Sequence, residues 1–429
     1  MDKKINVVGA GLAGCEAAFQ IAERGIPVKL YEMKPQKFSP AHKSEDLAEL
    51  VCSNSFKARN IENASGLLKE EMKALGSLIM DCALKSEVPA GGSLSVDREL
   101  FSRLVTERIG SHPLIEISRG EVTRIIEDEI TIYATGPLTS DALSQEFAGL
   151  CPSLSFFDAA APIVFAESID MNHAFRGSRY GKGDDDYINC PLSREEYLEF
   201  YNNLINAETA FVEDFDDIRL YEGCMPIEEM AKRGVDTLRF GPLKPVGFDK
   251  KYYAIVQLRQ ENLEGTIYNI VGFQTRLKFG EQKRVFGLIP ALRNAEYARY
   301  GVMHRNTYLK SPGFLDRTYR VIGKNMYFAG QITGVEGYME STSSGLVAGI
   351  NAARLYQGKT PVVFPVSTAI GALANYAASY PGKDFQPMGI NFGIIASGDI
   401  GIKNKVERRR KISENALVEI ENIKKSLNG

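Results

Sequence analysis

The first 32 residues constrain the fold more than any other stretch. The apolar run Ile5-Asn6-Val7-Val8 ends in Gly9-Ala10-Gly11-Leu12-Ala13-Gly14, and a helical stretch leads to Val28-Lys29-Leu30-Tyr31, which closes on Glu32. Strand, GxGxxG, helix, strand and acid is the order that a dinucleotide-binding βαβ unit requires. Gly9 permits the tight turn, Gly11 lets backbone approach a pyrophosphate, and Gly14 lets the helix pack close to the strand. The helix N-terminus offers phosphates its free N–H groups and the positive end of its dipole. Glu32 is placed to accept hydrogen bonds from ribose hydroxyls, which favours an adenosine without a 2′-phosphate.

Two further glycine signatures select flavin over nicotinamide. Ile130-Thr131-Ile132-Tyr133-Ala134-Thr135-Gly136-Pro137 resembles the second motif of two-dinucleotide-binding flavoproteins. Asn325-Met326-Tyr327-Phe328-Ala329-Gly330-Gln331 is another strand running into glycine, followed by Gly334, Glu336, Gly337, Tyr338, Glu340 and the small-residue stretch 345–353. This resembles the terminal flavin motif, in which a strand end and a second helix N-terminus hold the ribityl chain and ring. FAD is the expected cofactor, with Gly9 to Gly14, Glu32, Thr135, Gly136, Gly330, Gln331 and Gly337 as its binding residues. No second GxGxxG has strand–helix context, so NAD(P)H is expected to dock only transiently over the ring.

The expected fold is α/β, a Rossmann-like FAD-binding domain of the two-dinucleotide-binding type with an inserted α+β domain. Flavin motifs near both ends make that domain discontinuous: residues 1–165 and 311–429, with 166–310 inserted on the substrate side. Ala159 to Phe165 reads as one strand near the crossing. Ser193 to Ala210 reads as a capped helix, and Tyr252–Leu258 and Ile267–Phe273 read as paired strands. At 429 residues the chain is long enough for two cores. No apolar run approaches the roughly 20 residues of a membrane span, and the first strand begins too early to leave room for a signal peptide. Six scattered cysteines without a CxxC pair fit a reducing cytoplasm, and four unclustered histidines suggest no metal site. A net charge of −3 leaves RNA contact to local basic patches.

Two cysteines carry the chemical hypothesis. Cys52 lies in a polar segment between helical stretches. Cys224 precedes Met225-Pro226, with Pro226 suited to the first position of a helix and Gly234 to its end. A thiol just ahead of a helix N-terminus is favoured as thiolate, and Met225 offers no cap to occupy the free donors. The other four cysteines read as packing.

At this point the blocks ELVCSNSFKA, VPAGGSLSVDR, EGCMPIEEMAKRG, YNIVGFQT, YGVMHRNTY and FAGQITGVEGYMES place the chain in a resemblance. It is similar over nearly its whole length to the bacterial folate- and FAD-dependent tRNA (uracil-5-)-methyltransferases, relatives of the flavoproteins that modify wobble uridines. The polar run Tyr338 to Ser344 departs from the alanine expected there. The resemblance implies that Cys224 adds to uracil C6 and that Cys52 assists removal of the C5 proton. It implies 5,10-methylenetetrahydrofolate as carbon donor, handed on through reduced FAD, with FAD also supplying electrons. Tyr338 is a candidate to steer the ring or a proton, His304 to stack on the pterin, and Arg305 to meet folate carboxylates. Tests of RNA contact fall on Lys57 and Arg59, Arg276 and Lys278, Lys283 and Arg284, and the tail Lys403 to Lys411. The expected product is 5-methyluridine in the T-loop of tRNA. Ribosomal RNA as target and a non-catalytic RNA-binding flavoprotein stand as alternatives. A wobble-uridine enzyme is disfavoured by the short stretch after the flavin motif, and an S-adenosylmethionine enzyme by the motif itself.

Overall fold

Strand Ile5–Val8 is buried at all four positions and pairs in parallel on both sides, with Val7 opposite Leu30 and Ile132. The computed structural model describes residues 4–181, 184–210, 225–398 and 400–428, and the statements below concern these. The parallel sheet runs in the order Met326–Phe328, Thr131–Tyr133, Ile5–Val8, Val28–Glu32 and Ile115–Arg119. All three glycine signatures therefore leave one sheet at the ends of adjacent strands, although about 190 residues separate the second from the third.

Helix Leu12–Ala22 is buried at every position, Glu16 and Gln20 included; Glu16 accepts from the Ser77 hydroxyl at 2.8 Å and the Ile79 N–H at 3.1 Å. Helix Tyr338–Tyr356 lies against it at backbone distance. A Cβ on Gly345 would stand 2.2 Å from the Ala13 carbonyl oxygen, and one on Gly349 would stand 2.7 Å from that of Ala17. These glycines fasten the C-terminal flavin signature to the N-terminal one.

The second sheet is antiparallel throughout, in the order Phe175–Arg176, Tyr187–Leu192, Ala254–Gln260, Ile267–Ile270, Ile163–Phe165 and Tyr297–Arg299. It has a core of its own, to which helix Arg194–Ile205 contributes Tyr197, Phe200 and Leu204. Ser193 and Glu196 close a reciprocal capping box at the start of that helix. The two strands expected after Tyr252 pair as anticipated, Leu258 opposite Ile270. The single strand expected over Ala159–Phe165 is instead two. Ser153–Ala159 pairs with Met303–Leu309 in a ribbon, and Ile163–Phe165 starts the second sheet. Pro162 stands at the break, where a residue without an N–H cannot extend a ladder.

The helix–helix contact yields a paired test by thermal unfolding. Gly345→Ala should destabilise the protein by about 1–3 kcal/mol through overpacking. Gly110→Ala, at the end of helix Arg98–Gly110 with open space around the new methyl, should be neutral or stabilising by about 0.5 kcal/mol. Equal effects would mean that the two helices do not meet at backbone distance.

Candidate active site

One cleft of about 1330 Å³, open mouth included, collects Gly9 to Ala13, Glu32, Cys52, Thr135, Gly136, Gly330, Gln331 and Tyr338. The glycines of the first signature divide into two kinds. Gly9 has φ +97° and passes under the second signature, where a Cβ would lie 2.6 Å from the Ala134 carbonyl oxygen. Gly14 sits beneath the cleft, with room for no Cβ against the Gly9 carbonyl oxygen at 1.7 Å. Gly11 differs: nothing lies within 4 Å of the position its Cβ would take. Internal packing does not demand this glycine, so the open space in front of it is room for a ligand.

Gly11 is also the N-cap of helix Leu12–Ala22, and no side chain caps that helix. Glu32 accepts from the backbone N–H of Ala10 at 3.0 Å through one carboxylate oxygen and from that of Lys34 at 2.9 Å through the other. Each oxygen keeps a lone pair for a ribose hydroxyl. A second N-terminus without a side-chain cap belongs to helix Tyr338–Tyr356, with Gly337 at its N-cap position at φ +120°. A Cβ on Gly337 would strike the Glu340 carboxylate at 2.2 Å, so this glycine shapes the turn and does not itself line the cleft. Thr135 bonds Thr139 hydroxyl to hydroxyl at 2.6 Å, and Gln331 donates to Glu336. An open glycine at one helix N-terminus, an acid beside it and a second N-terminus across the cleft are a donor set that fits FAD.

Cys52 is half-buried on the cleft wall beside the second helix N-terminus. The Tyr338 hydroxyl accepts the backbone N–H of Cys52 at 2.9 Å and of Ser53 at 3.1 Å, while its ring meets Phe56 edge-on. Burial, reinforced by Cys52, holds this phenol well above its ordinary range, so it keeps its proton. The loop is gripped from the other side by a cluster that the motifs do not signal. Arg98 donates to the carbonyls of Leu50 at 3.0 Å and Val51 at 3.3 Å, and Arg259 donates to Ser53 Oγ at 2.8 Å and Asn54 Oδ1 at 2.9 Å. Glu261, wholly buried, pairs with Arg98 at 2.5 Å and lies 3.9 Å from Arg259. Burial opposes the charge on Arg98, but Glu261 more than offsets it; Arg259 is held low by its burial. Arg299 is a further guanidinium of this region, lowered by burial and by Arg98, with Cys52, Tyr338 and Glu49 among the groups acting on it. No motif singles out Arg98 or Arg259, because Arg98 meets Glu261, and Arg259 meets Ser53 and Asn54, across more than 150 residues of chain, which leaves no local pattern.

The remaining expected positions are less informative. Cys224 lies outside the described residues. Beyond it Pro226 takes the N-cap rather than the first helical position, and helix Ile227–Lys232 has only six residues. The Ile227 N–H, expected to be free, donates to the Gln274 carbonyl at 2.7 Å, and Glu228 and Glu229 occupy the first turn. That turn therefore offers a thiolate less than the sequence suggested. His304 is paired with Asp158 in the ribbon, its side chain and that of Arg305 lying outside the description, while Asn306 two residues on lines the cleft. Cys15, Cys82, Cys151 and Cys190 are buried; burial pushes Cys82 and Cys151 up to about 11 and Cys190 up to about 12, as for inert packing thiols.

Residues 4–360 match the family described as glucose inhibited division protein A. The chain is 62% identical over 421 residues to the methylenetetrahydrofolate–tRNA-(uracil-5-)-methyltransferase TrmFO of Acetivibrio thermocellus, covering 96% of this chain and 97% of that protein. It is 54% identical over 435 residues to the enzyme of the same name from a Streptococcus pneumoniae strain, covering 97% and 98%. Among solved structures, Aquifex aeolicus GidA superimposes with a TM-score of 0.74 at 17% identity, over 99% of this chain and 74% of that one, a likeness of fold.

The open space at Gly11 makes a prediction. Gly11→Ala should cost the ligand-free fold no more than about 1 kcal/mol as an N-cap change. It should weaken FAD by at least about tenfold, which is 1.4 kcal/mol of binding, in a fluorescence titration of the apoprotein. Unchanged affinity would show that the pyrophosphate does not approach this backbone.

Proposed function

The chain belongs to the glucose inhibited division protein A family, among its methylenetetrahydrofolate–tRNA-(uracil-5-)-methyltransferases, and on that premise we propose how its residues divide the work. It is an enzyme that methylates uracil at C5 in tRNA with a carbon from folate. Our reading is that the target lies in the T-loop, that NAD(P)H is the reductant and that the enzyme works in the cytoplasm. The observation that carries it is the meeting of the Cys52–Tyr338 pair with the dinucleotide cradle in one cleft.

The chemistry follows from the electronics of uracil. C5 is a poor nucleophile until a nucleophile adds at C6, so a thiolate is needed, and Cys224 is assigned that addition. C5 then bonds to the methylene carbon, the C5 proton leaves as that carbon's remaining bond to the folate nitrogen breaks and tetrahydrofolate departs, and the Cys224–C6 bond breaks to restore the ring as the methylene is reduced. Cys52 is assigned the C5 proton, a transfer that requires hydrogen-bond reach. Bound FAD, re-reduced by NAD(P)H, supplies the two electrons that convert methylene to methyl. Tyr338 fixes the Cys52 backbone through two hydrogen bonds and, kept protonated, has a proton of its own to donate. Arg98 and Arg259, tied together by Glu261, hold the same loop against the second sheet. Thr135, Gly136, Gly330 and Gln331 are assigned to the flavin end of the cofactor, and His304 to the pterin of the folate. The uridine must leave its stack to reach this cleft, which costs least in a loop.

Incorporation of label from methylenetetrahydrofolate into unmodified tRNA, with NAD(P)H, tests the assignment. Cys224→Ala should retain FAD and lose product. Cys52→Ala should lower kcat by about 10²–10⁴-fold, the usual worth of a general base. Tyr338→Phe removes the acceptor of two backbone N–H groups and should lower kcat by about tenfold, the equivalent of one net hydrogen bond, with KM for tRNA unchanged. Product from Cys224→Ala would remove the proposed nucleophile.

A further inference from the structure

We infer that the groove at the start of the C-terminal helix, lined by Lys403, Lys405, Arg408, Arg409 and Phe392, is the docking surface for the phosphate backbone of the RNA arm that delivers the uridine. The inference rests on the tRNA-methylating reading above. Among the basic residues that the sequence nominates, ion pairing separates this group from nearly all the others. Lys57 is paired with Glu340, Arg59 with Glu87, Arg276 with Glu229, Lys278 with Glu208 and Arg284 with Glu281. Within the tail itself Arg410 is paired with Glu62 and Lys411 with Glu414. Lys403, Lys405, Arg408 and Arg409 have no carboxylate partner among the described residues, and the first three are exposed.

Their position on the helix adds an independent argument. Lys405, Arg408 and Arg409 occupy the first two turns of helix Lys405–Asn428. Asn404 takes the Val406 and Glu407 N–H groups on its side-chain oxygen at 2.9 and 3.2 Å, but the positive end of the helix dipole still favours anions, so cations there are destabilising in the isolated chain. Cations and helix terminus share one complementary ligand, a polyanion that meets both. Arg409 also lies over the Phe392 ring, 5.3 Å from its centre, a cation–π contact within the groove.

The groove is tied to the catalytic cleft. Ser413 bonds the Ile61 carbonyl at 2.7 Å, fastening the helix to the stretch that follows Cys52. From Cys52 to Ile61 the chain advances nine residues, so these two points are no more than about 30 Å apart even fully extended. On the other flank the Ile390 N–H donates at 3.1 Å to Glu340, two residues after Tyr338. A short RNA arm can thus set its loop in the cleft and its stem phosphates on the groove. Such contacts position the RNA and read no bases.

The test is Lys403→Gln/Lys405→Gln/Arg408→Gln in the full FAD-loaded chain, with affinity for unmodified tRNA measured by filter binding across salt concentrations, beside methyl incorporation. The variant should bind tRNA at least tenfold more weakly, and the log–log salt slope should flatten by about two to three, close to one per lost phosphate contact. FAD content and kcat at saturating tRNA should be unchanged, and the melting temperature unchanged or raised as the dipole clash is relieved. Equal tRNA affinity and slope would overturn the inference. The two readings fail separately. A wild type that binds but never methylates tRNA would sink the enzymatic reading, while weakened binding by the variant would still uphold the groove.

Discussion

The structure depends on the backbone contact between helices Leu12–Ala22 and Tyr338–Tyr356. Two glycines, Gly345 and Gly349, let the second helix reach the carbonyls of Ala13 and Ala17. Any Cβ there would push the helices apart, and with them the two uncapped N-termini that face the cleft. The same approach seats Gly330 against Ala13, its Cβ position 3.2 Å from that methyl group. A cofactor spanning both helix ends requires this separation to be fixed by backbone rather than by adjustable side chains, because preorganised donors bind without a reorganisation cost.

A second layer of organisation joins the two sheets at the Cys52 loop. Its backbone is held on one side by the Tyr338 hydroxyl and on the other by Arg98, while Arg259 holds the Ser53 and Asn54 side chains, with Glu261 between the guanidinium groups. A buried ion cluster of this kind is poor evidence of net stability, but removing one member leaves uncompensated charge. Its consequence is geometric: the sheet that carries Arg259 and the domain that carries the dinucleotide cradle fix the position of one half-buried thiol. Arg299, at the edge of the same sheet, adds positive potential to that surface.

Much of this was legible in the sequence, for identifiable reasons. The parallel sheet follows from three strand–glycine signatures, since each glycine answers a local steric demand that sequence displays directly. The capping box at Ser193 and Glu196 is equally local. The strand expected across Ala159–Phe165 divides in two, because apolar character continues through Ala160 and Ala161 while Pro162 breaks the ladder. Of the donors expected free near Cys224, the Ile227 N–H is taken by the Gln274 carbonyl, some 50 residues on from Cys224. Nothing local in the sequence pairs Lys57 with Glu340 or Arg59 with Glu87, whose proximity only the fold creates. The Arg98–Glu261–Arg259 cluster left no trace for the same reason: long-range charge pairing has no period.

The central claim is that this cleft breaks the C5–H bond of a tRNA uridine while a folate carbon is added there. Release of tritium from tRNA bearing [5-³H]uridine measures that bond directly. The account predicts release that depends on methylenetetrahydrofolate, reduced FAD and Cys224, with one tritium lost for each methyl group gained. FAD-loaded protein that gains methyl label without releasing tritium, or that does neither on tRNA, would contradict it.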